Sequence, residues 1–235
     1  RAQILAAETQ VAVDDLYRPY RPKRRTRATI AKEKGLEPLA NLILLQKMTV
    51  SPLEEAENYI NPEKEVSTAE DALNGAKDIL AESVSDNADF RTHIRELTMK
   101  HGQLLSAAKD PEAESVYEMY YEFSESLSKL AGHRILAISR GEKEKFLTVK
   151  IDAPVDRILS YLDRKLITAP SAPTAAVLHE VTEDAYNRLI APAIEREIRN
   201  DLFEKAEDGA IRVFGKNLEQ LLICLLYTSD AADDS

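Results

Sequence analysis

The stretch from Ser67 to Val84 reads Ser67-Thr-Ala-Glu-Asp-Ala-Leu-Asn-Gly-Ala-Lys-Asp-Ile-Leu-Ala-Glu-Ser-Val84. Ser67 and Glu70 have the spacing of a capping box, in which two side chains satisfy the first amides of a helix. Four apolar residues then recur every three or four positions and form one stripe: Leu73, Ala76, Leu80 and Val84. This pattern predicts an amphipathic helix.

Similar signals precede and follow this helix. Upstream, helices are predicted from Thr29 to Lys34, ending at Gly35, and from Pro38 to Gln46. Ser51 before Pro52, with Glu54 after them, predicts a further helix start, because proline fits the first helical position. Downstream, one more helix ends before Gly102 and carries a stripe of Phe90, Ile94, Leu97 and His101.

The pattern weakens between Gln103 and Gly132. Gln103 to Ala107 has the character of a short strand. Val116, Tyr120 and Phe123 have the spacing of a helix face. A short apolar helix is expected from His133 to Ser139, with a stop near Gly141.

The strongest strand signal is the alternation of Leu147, Val149 and Ile151 with polar residues. A helix follows Pro154, and the proline-containing segment 168–174 is predicted to be a linker. A long helical region is then expected from Ala175 to Ala206, with a kink at Pro192. The fold class is therefore mainly α: a multi-helix scaffold with one short β element and a long C-terminal helical region.

The composition agrees with a helical globular protein. The 235 residues are 44% hydrophobic and 31% charged, and only seven are glycine. A single cysteine, Cys224, excludes an internal disulfide and a thiolate metal cage. No apolar run approaches the length of a membrane span, and no signal-peptide pattern is visible, so we expect no membrane association and a cytoplasmic location.

One segment has a charge opposite to the rest of the chain. Between Arg18 and Arg27 there are six cations and no carboxylate, while the whole chain carries a net charge of −10. The remainder therefore sums to −10 − 6 = −16. Pro19 and Pro22 favour extended backbone before them, so we expect an extended arm between helices. We call residues 17–27 the basic arm.

A polyanion is the partner that this charge favours, and nucleic acid is the commonest polyanion. The predicted phosphate contacts are Arg18, Arg21, Lys23, Arg24, Arg25 and Arg27. Tyr17 and Tyr20 are candidates for stacking on bases. The alternative is an arm held against the acidic surface of its own protein.

Other chemistry-bearing residues favour structural interpretations. His93, His101, His133 and His179 lack metal-ligand spacing, so we expect no metal site. Tyr117, Tyr120, Tyr121 and Phe123 are predicted to pack in the core, because neighbouring glutamates would repel phosphates. No Gly-rich phosphate loop, nucleophile elbow or Cys–His pair is present, so we expect neither catalytic residues nor a cofactor.

Three long motifs resemble the Tex family, bacterial transcription accessory proteins related to the eukaryotic factor Spt-six. They are Asp15 to Leu39, His133 to Glu142 leading into Leu147 to Val149, and Glu195 to Arg199 continuing to Ala210 to Phe214 and Asn217 to Leu222. The resemblance covers roughly Arg1 to Ile223. It implies a nucleic-acid-binding transcription factor for the parent protein, with this chain as an N-terminal helical fragment.

The resemblance also predicts a domain organisation. Residues 1–173 would form the helical N-terminal domain, and 174–223 a long helical segment leading toward an RNase H-like (YqgF) domain that this chain lacks. The helix-hairpin-helix and S1 domains of the family are likewise absent from this chain. Residues 224–235 resemble the translation of a sequencing-library adapter and are predicted to be non-native, with a natural acidic terminus as the alternative.

These observations predict a non-enzymatic piece of an RNA- or DNA-binding transcription accessory protein. A pure protein-interaction scaffold, which could dock on the transcription machinery, is the alternative. Nuclease activity could enter only through the absent RNase H-like domain. The sequence leaves the oligomeric state and the choice between RNA and DNA open.

Overall fold

The computed structural model describes residues 10–20 and 25–233, and side chains for 11–20 and 25–224. The chain divides into two compact units. Unit 1 contains Arg1–Thr98 and Pro154–Ile194, and unit 2 contains Met99–Ala153 and Glu195–Ser235. The domain boundary predicted at residue 173 stays a prediction.

Unit 1 is built from helices around one central helix. The helices before the β element are α1 (Gln10–Tyr17), α2 (Arg27–Glu33), α3 (Glu37–Leu45), α4 (Pro52–Ala56), α5 (Ala69–Ser85) and α6 (Ala88–His101), of which residues up to Thr98 belong to unit 1. The helices after it are α8 (Val155–Leu166) and α9 (Ala175–Asp184); α7 (Gly132–Lys143) belongs to unit 2. Helix α5 contacts α2, α3, α4 and α9. All four residues of its predicted stripe are buried. The central helix is therefore the one that the stretch from Ser67 to Val84 predicts.

The N-cap of α5 lies one residue later than the sequence predicts. Thr68 is the N-cap, and its hydroxyl accepts a hydrogen bond from the Asp71 amide at 3.1 Å. The Asp71 carboxylate accepts from the Thr68 amide at 3.1 Å, which completes the capping box. The prediction of Ser67 and Glu70 as this pair was wrong, because Thr68 and Asp71 offer the same chemistry one position later. Gly75 allows α5 to lie close to Leu36, since a Cβ atom on residue 75 would lie 2.3 Å from the Cδ1 atom of Leu36.

A glutamine side chain joins two helix ends in unit 1. Gln46 follows α3 in the left-handed conformation, with φ of 54°, and is 8% exposed. Its Oε1 accepts hydrogen bonds from the amides of Thr168 and Ala169, both at 2.9 Å. Its Nε2 donates to the carbonyl of Leu166 at 2.7 Å. We call this arrangement the Gln46 clamp; it holds the chain that leaves α8.

Unit 2 contains the β element. Strands β1 (Gln103–Ala108), β2 (Glu122–Ser126) and β3 (Leu147–Asp152) form an antiparallel sheet in the order β2-β1-β3. Leu105 lies opposite Ser124 on one side and Lys150 on the other. Strands β1 and β3 agree with the sequence pattern, whereas the helix face predicted through Phe123 was wrong, because Phe123 lies in β2.

Helix α7 (Gly132–Lys143) packs on this sheet and continues past Gly141, where a stop was predicted. A Cβ at Gly141 would lie 2.7 Å from Leu147 Cδ1, so this glycine serves close packing rather than helix termination. The unit 2 part of α10 (Ala191–Asp233) buries Ile198, Leu202 and Ala206. Beyond Asp208, the described side chains of α10 are exposed.

A π-helical segment, Ala185–Ile190, joins α9 to α10. The Ala191 amide donates to the Tyr186 carbonyl, five residues back. Pro192 has no amide hydrogen to donate. The wider turn lies directly before Pro192, where the sequence predicts a kink. The fold class of a mainly α protein with one short β element and a long C-terminal helical region is confirmed. None of the described helices has a stretch long and apolar enough to cross a membrane.

Candidate nucleic-acid interface

The helix before the basic arm is fixed to α6 by a buried carboxylate. Asp15 is 2% exposed, and its Oδ1 accepts a hydrogen bond at 2.6 Å from Nε of Arg91, whose side chain is 0% exposed. Its Oδ2 accepts from Nη2 of Arg95 at 2.8 Å. A buried carboxylate is costly unless it is paired in this way. Asp15 therefore determines where α1 lies on unit 1.

The first residues of the basic arm continue α1 as a tight turn. Arg18–Tyr20 form a 3-10 helix, so the extended backbone predicted at Arg18 was wrong. A 3-10 turn commonly ends an α-helix and overrides the weaker bias that the following Pro19 imposes. Arg18 Nε lies 3.7 Å from Asp86 Oδ1, and this ion pair holds the turn near the start of α6.

The two tyrosines of the arm project into solvent. Tyr17 is 48% exposed and Tyr20 is 78% exposed. Tyr17 is the last residue of α1, and Tyr20 is the last residue of the 3-10 turn that follows it. We call Tyr17 and Tyr20 the tyrosine face. The tyrosine face thus lies within a few residues of Asp15 and Arg18, which both have partners in unit 1.

The last cations of the arm lie at the start of α2. Thr26 caps this helix, since its hydroxyl accepts from the Thr29 amide at 3.1 Å. Just before the cap, Arg25 Nη2 donates to Glu33 Oε2 at 3.2 Å, although the Arg25 side chain is 71% exposed. Arg27 is exposed at the first position of the helix. The predicted contacts Arg21, Lys23 and Arg24 lie outside the described residues.

Arg27 contributes to the electrostatics of the neighbouring α5. Burial raises the pKa of the Asp78 carboxyl above its usual value, and the guanidiniums of Arg188 and Arg27 partly offset this rise. Arg188 Nη2 donates to Asp78 Oδ1 at 2.9 Å, and its Nε donates to Asp184 Oδ1 at the same distance. The hydrogen bond with Asp184 raises the pKa of Arg188. Of these two guanidiniums, Arg188 is tied to unit 1, while Arg27 faces solvent.

The other residues weighed from the sequence have structural contacts. Tyr117 and Tyr120 are 5% and 7% exposed, which confirms their predicted place in the core. His179 Nδ1 lies 2.8 Å from Asp163 Oδ2, and the His93 ring stacks on Tyr161 with centroids 3.9 Å apart. Among the described residues, no group of three or more histidine, cysteine or acidic side chains is placed to hold a metal ion.

The sequence reasoning missed the residues that anchor the arm: Asp15, Asp86, Arg91 and Arg95. A signal existed in α6, where Arg91, Ile94 and Thr98 are buried at helical spacing. A charged residue at a core position of an apolar stripe requires a buried partner. Its partner, 76 positions away in sequence, could not be read from this spacing.

Comparison with known proteins identifies the family. The family model described as Tex central region-like matches residues 47–214. The chain belongs to the Tex family. It is 50% identical over 214 residues to the uncharacterized protein YdcI of Bacillus subtilis, covering 90% of this chain and 30% of that protein.

Two further relatives have names that describe a role. The chain is 32% identical over 231 residues to the transcriptional accessory protein Tex of Neisseria gonorrhoeae, covering 95% of this chain and 30% of that protein. It is 31% identical over 237 residues to the human S1 RNA-binding domain-containing protein 1, covering 94% and 23%. This chain therefore spans less than a third of the length of these Tex relatives.

Proposed function

We propose that this chain is a non-catalytic helical part of an RNA- or DNA-binding transcription accessory protein that acts in the cytoplasm. The basic arm supplies its phosphate contacts. The family membership and the names of the two relatives support this role. The transcription machinery is a further partner in this proposal.

The observation that carries the proposal is the exposure of the described arm. Arg25 keeps 71% of its side chain accessible while it pairs with Glu33, which is itself 60% exposed. Exposed ion pairs contribute only about 0 to 1 kcal/mol to stability. A phosphate can therefore replace Glu33 at little cost. Arg27 and both tyrosines are exposed on the same arm.

The scaffold alternative has an observation of its own. Arg18 and Arg25 each have a carboxylate partner within the chain, Asp86 at 3.7 Å and Glu33 at 3.2 Å. If these ion pairs persist in solution, the arm has a structural role within the chain. The surface around it would then bind protein partners instead of nucleic acid. The two functions differ in whether the cations exchange carboxylates for phosphates.

A salt titration of nucleic-acid affinity tests the proposal. Fluorescence anisotropy would measure the dissociation constant of the 235-residue chain for a labelled duplex between about 50 and 200 mM salt. Contact by all six cations predicts a slope of log K against log salt of roughly −5. The double variant Arg24→Glu/Arg25→Glu should bind more weakly and with a shallower slope.

The matched control is Arg212→Glu/Lys216→Glu, which changes the net charge equally at two exposed positions of α10. This control should retain most of the affinity and the slope. Equal loss in both variants, or a wild-type slope near zero, would contradict a phosphate-binding arm and favour the scaffold. Circular dichroism of each variant verifies that folding is intact.

A further inference from the structure

An open groove of unit 1 lies between α6 and α8. Its volume is about 580 Å³. Helix α6 contributes two side chains one turn apart, α8 contributes one of its faces, and the lining includes His93, Leu97, Asp156, Arg157, Tyr161 and Arg164. Positions 157, 161 and 164 have the i, i+4, i+7 spacing of a single helix stripe, so the tyrosine lies between the two arginines along α8. We call this site the α6–α8 groove.

Aromatic rings join the two helices at this groove. The His93 ring stacks on the Tyr161 ring, with centroids 3.9 Å apart and 29° between the planes. Phe90 meets the same tyrosine edge to face, with centroids 6.1 Å apart. Leu97 lies one turn after His93 and adds an aliphatic side chain to the lining. The groove therefore offers apolar surface on two packed helices, which an aliphatic side chain of a partner would cover.

The arginines beside the rings have no carboxylate partner, unlike most described arginines of unit 1. Those with a carboxylate oxygen within 4.0 Å are Arg18, Arg25, Arg91, Arg95 and Arg188. No carboxylate of the described residues lies that close to Arg157 or Arg164, and both side chains are exposed. Arg164 Nε donates to the Ser160 carbonyl of its own helix at 3.1 Å, which leaves its charge uncompensated. In a chain with a net charge of −10, these two cations are available to an external carboxylate.

The spacing of the two arginines fits a helical partner. Arg157 and Arg164 are seven positions apart, which corresponds to about 10.5 Å along the axis of α8. A helix lying along the groove repeats this distance between its own positions i and i+7, and its positions i+3 and i+4 share the same face. Carboxylates at i and i+7 would therefore meet the arginines, while apolar side chains at i+3 and i+4 contact Leu97 and the rings.

The lining favours a peptide over a nucleic acid. Asp156 lines the same groove, and its carboxylate would repel a backbone that carries a phosphate at every nucleotide. An acidic helix carries its carboxylates only at certain positions, so it can match the two arginines and avoid Asp156. Its aliphatic side chains can cover Leu97 and the stacked rings, which removes apolar surface from water.

We propose that the α6–α8 groove binds an acidic amphipathic helix of a protein partner, with two carboxylates seven positions apart and apolar residues at i+3 and i+4 between them. The site lies outside the basic arm, and this inference does not depend on nucleic-acid binding by that arm. The two arginines supply the selection for acidic residues and their spacing, and the apolar lining supplies the contact area.

Designed peptides test the charge, the apolar contact and the spacing separately. Fluorescence anisotropy would measure the dissociation constant of the full 235-residue chain for a labelled alanine-rich peptide. The peptide has about 16 residues, enough to form a helix, with glutamate at i and i+7 and leucine at i+3 and i+4. In three control peptides, lysines replace the glutamates, serines replace the leucines, or the glutamates move to the opposite face at unchanged net charge. Each change should weaken binding roughly tenfold.

Variants of the chain connect this binding to the groove. Arg157→Glu/Arg164→Glu should weaken binding of the glutamate peptide by roughly tenfold or more and should strengthen binding of the lysine peptide, because the signs of the charges are exchanged. Lys32→Glu/Lys47→Glu is the matched control, since it changes the net charge equally at two exposed positions of unit 1. It should retain the affinity for both peptides. All four positions are exposed, and circular dichroism verifies that each variant is folded.

The outcomes separate the possible occupants of the groove. Equal binding of the glutamate and lysine peptides, or unchanged affinity in Arg157→Glu/Arg164→Glu, would overturn the inference. A single strand of about 12 nucleotides that displaces the peptide, and that binds this variant more weakly than the control variant, would assign the groove to nucleic acid instead. A dimer of the chain in sedimentation, dissociated by the same variant, would assign the groove to a second copy. Either result would also overturn the acidic-helix inference.

Discussion

The ion pairs that flank the basic arm differ in burial rather than in chemistry. Before the arm, Asp15 pairs with Arg91 at 2.6 Å, and the two side chains are 3% and 0% exposed. At its far end, Arg25 pairs with Glu33 at 3.2 Å, and the side chains are 71% and 60% exposed. Burial makes a charge dependent on its partner, whereas water can replace the partner of an exposed charge. The first pair therefore fixes α1 against α6, and the second leaves a cation available to bind.

Removal of the buried carboxylate should have the largest effect. Asp15→Ala leaves Arg91 buried without this partner, and breaking a buried pair costs about 3 to 5 kcal/mol. Urea unfolding followed by circular dichroism measures the free energy of unfolding. The matched control is Asp14→Ala, since Asp14 is exposed on the same helix and its loss should cost less than about 0.5 kcal/mol. Equal effects of the two variants would show that burial is not what distinguishes Asp15.

The Gln46 clamp is the neutral counterpart of the buried ion pair. Gln46→Ala removes the hydrogen bonds to Leu166, Thr168 and Ala169 and leaves their backbone groups without this partner. We expect a loss of about 2 to 3 kcal/mol in the free energy of unfolding, measured in urea. The exposed neighbour Lys47→Ala is the control and should have little effect. A loss in Gln46→Ala no larger than in the control would contradict this role.

Arg188 is less buried than Asp15 and Arg91, so its substitution should have an intermediate effect on the free energy of unfolding. Arg188 is 30% exposed and bonds to both Asp78 and Asp184. Arg188→Lys keeps the charge but loses the fork that reaches both carboxylates, so we expect a loss of about 1 kcal/mol after allowance for solvent screening. The control is Arg157→Lys, on an exposed position of α8, which should be neutral. A neutral Arg188→Lys would show that charge alone maintains this contact.

These contacts also indicate how far the sequence can predict this fold. Helices with apolar stripes, such as α5 and α8, follow from local periodicity, and their existence is confirmed, although the capping pair of α5 was predicted one residue too early. Strand β2 was missed because Glu122–Ser126 has a single apolar residue and owes its conformation to pairing with β1. Gly141 was predicted to end a helix because its sequence neighbours do not indicate the close tertiary contact with Leu147.

The candidate site divides in the same way. The charge of the basic arm and its two tyrosines are visible in the sequence, because both are local properties. The anchors are not visible, since Asp15 and Arg91 are 76 positions apart and meet only in the folded unit. The 3-10 turn at Arg18–Tyr20 replaces the predicted extended backbone, and the Asp86 partner of Arg18 is equally distant in sequence.

The smallest effect on stability is expected at the exposed pair, and it decides how the arm is interpreted. Arg25→Gln and Glu33→Gln, alone and together, form a double-mutant cycle whose coupling energy should stay below about 0.5 kcal/mol, measured by urea unfolding. Glu33→Gln should also strengthen binding of nucleic acid in the anisotropy assay, because the carboxylate that competes with phosphate for Arg25 is gone. A coupling energy above about 1 kcal/mol, with unchanged nucleic-acid affinity in Glu33→Gln, would show that the Arg25–Glu33 pair stabilises the fold. Arg25 would then have a structural role, as Arg91 does.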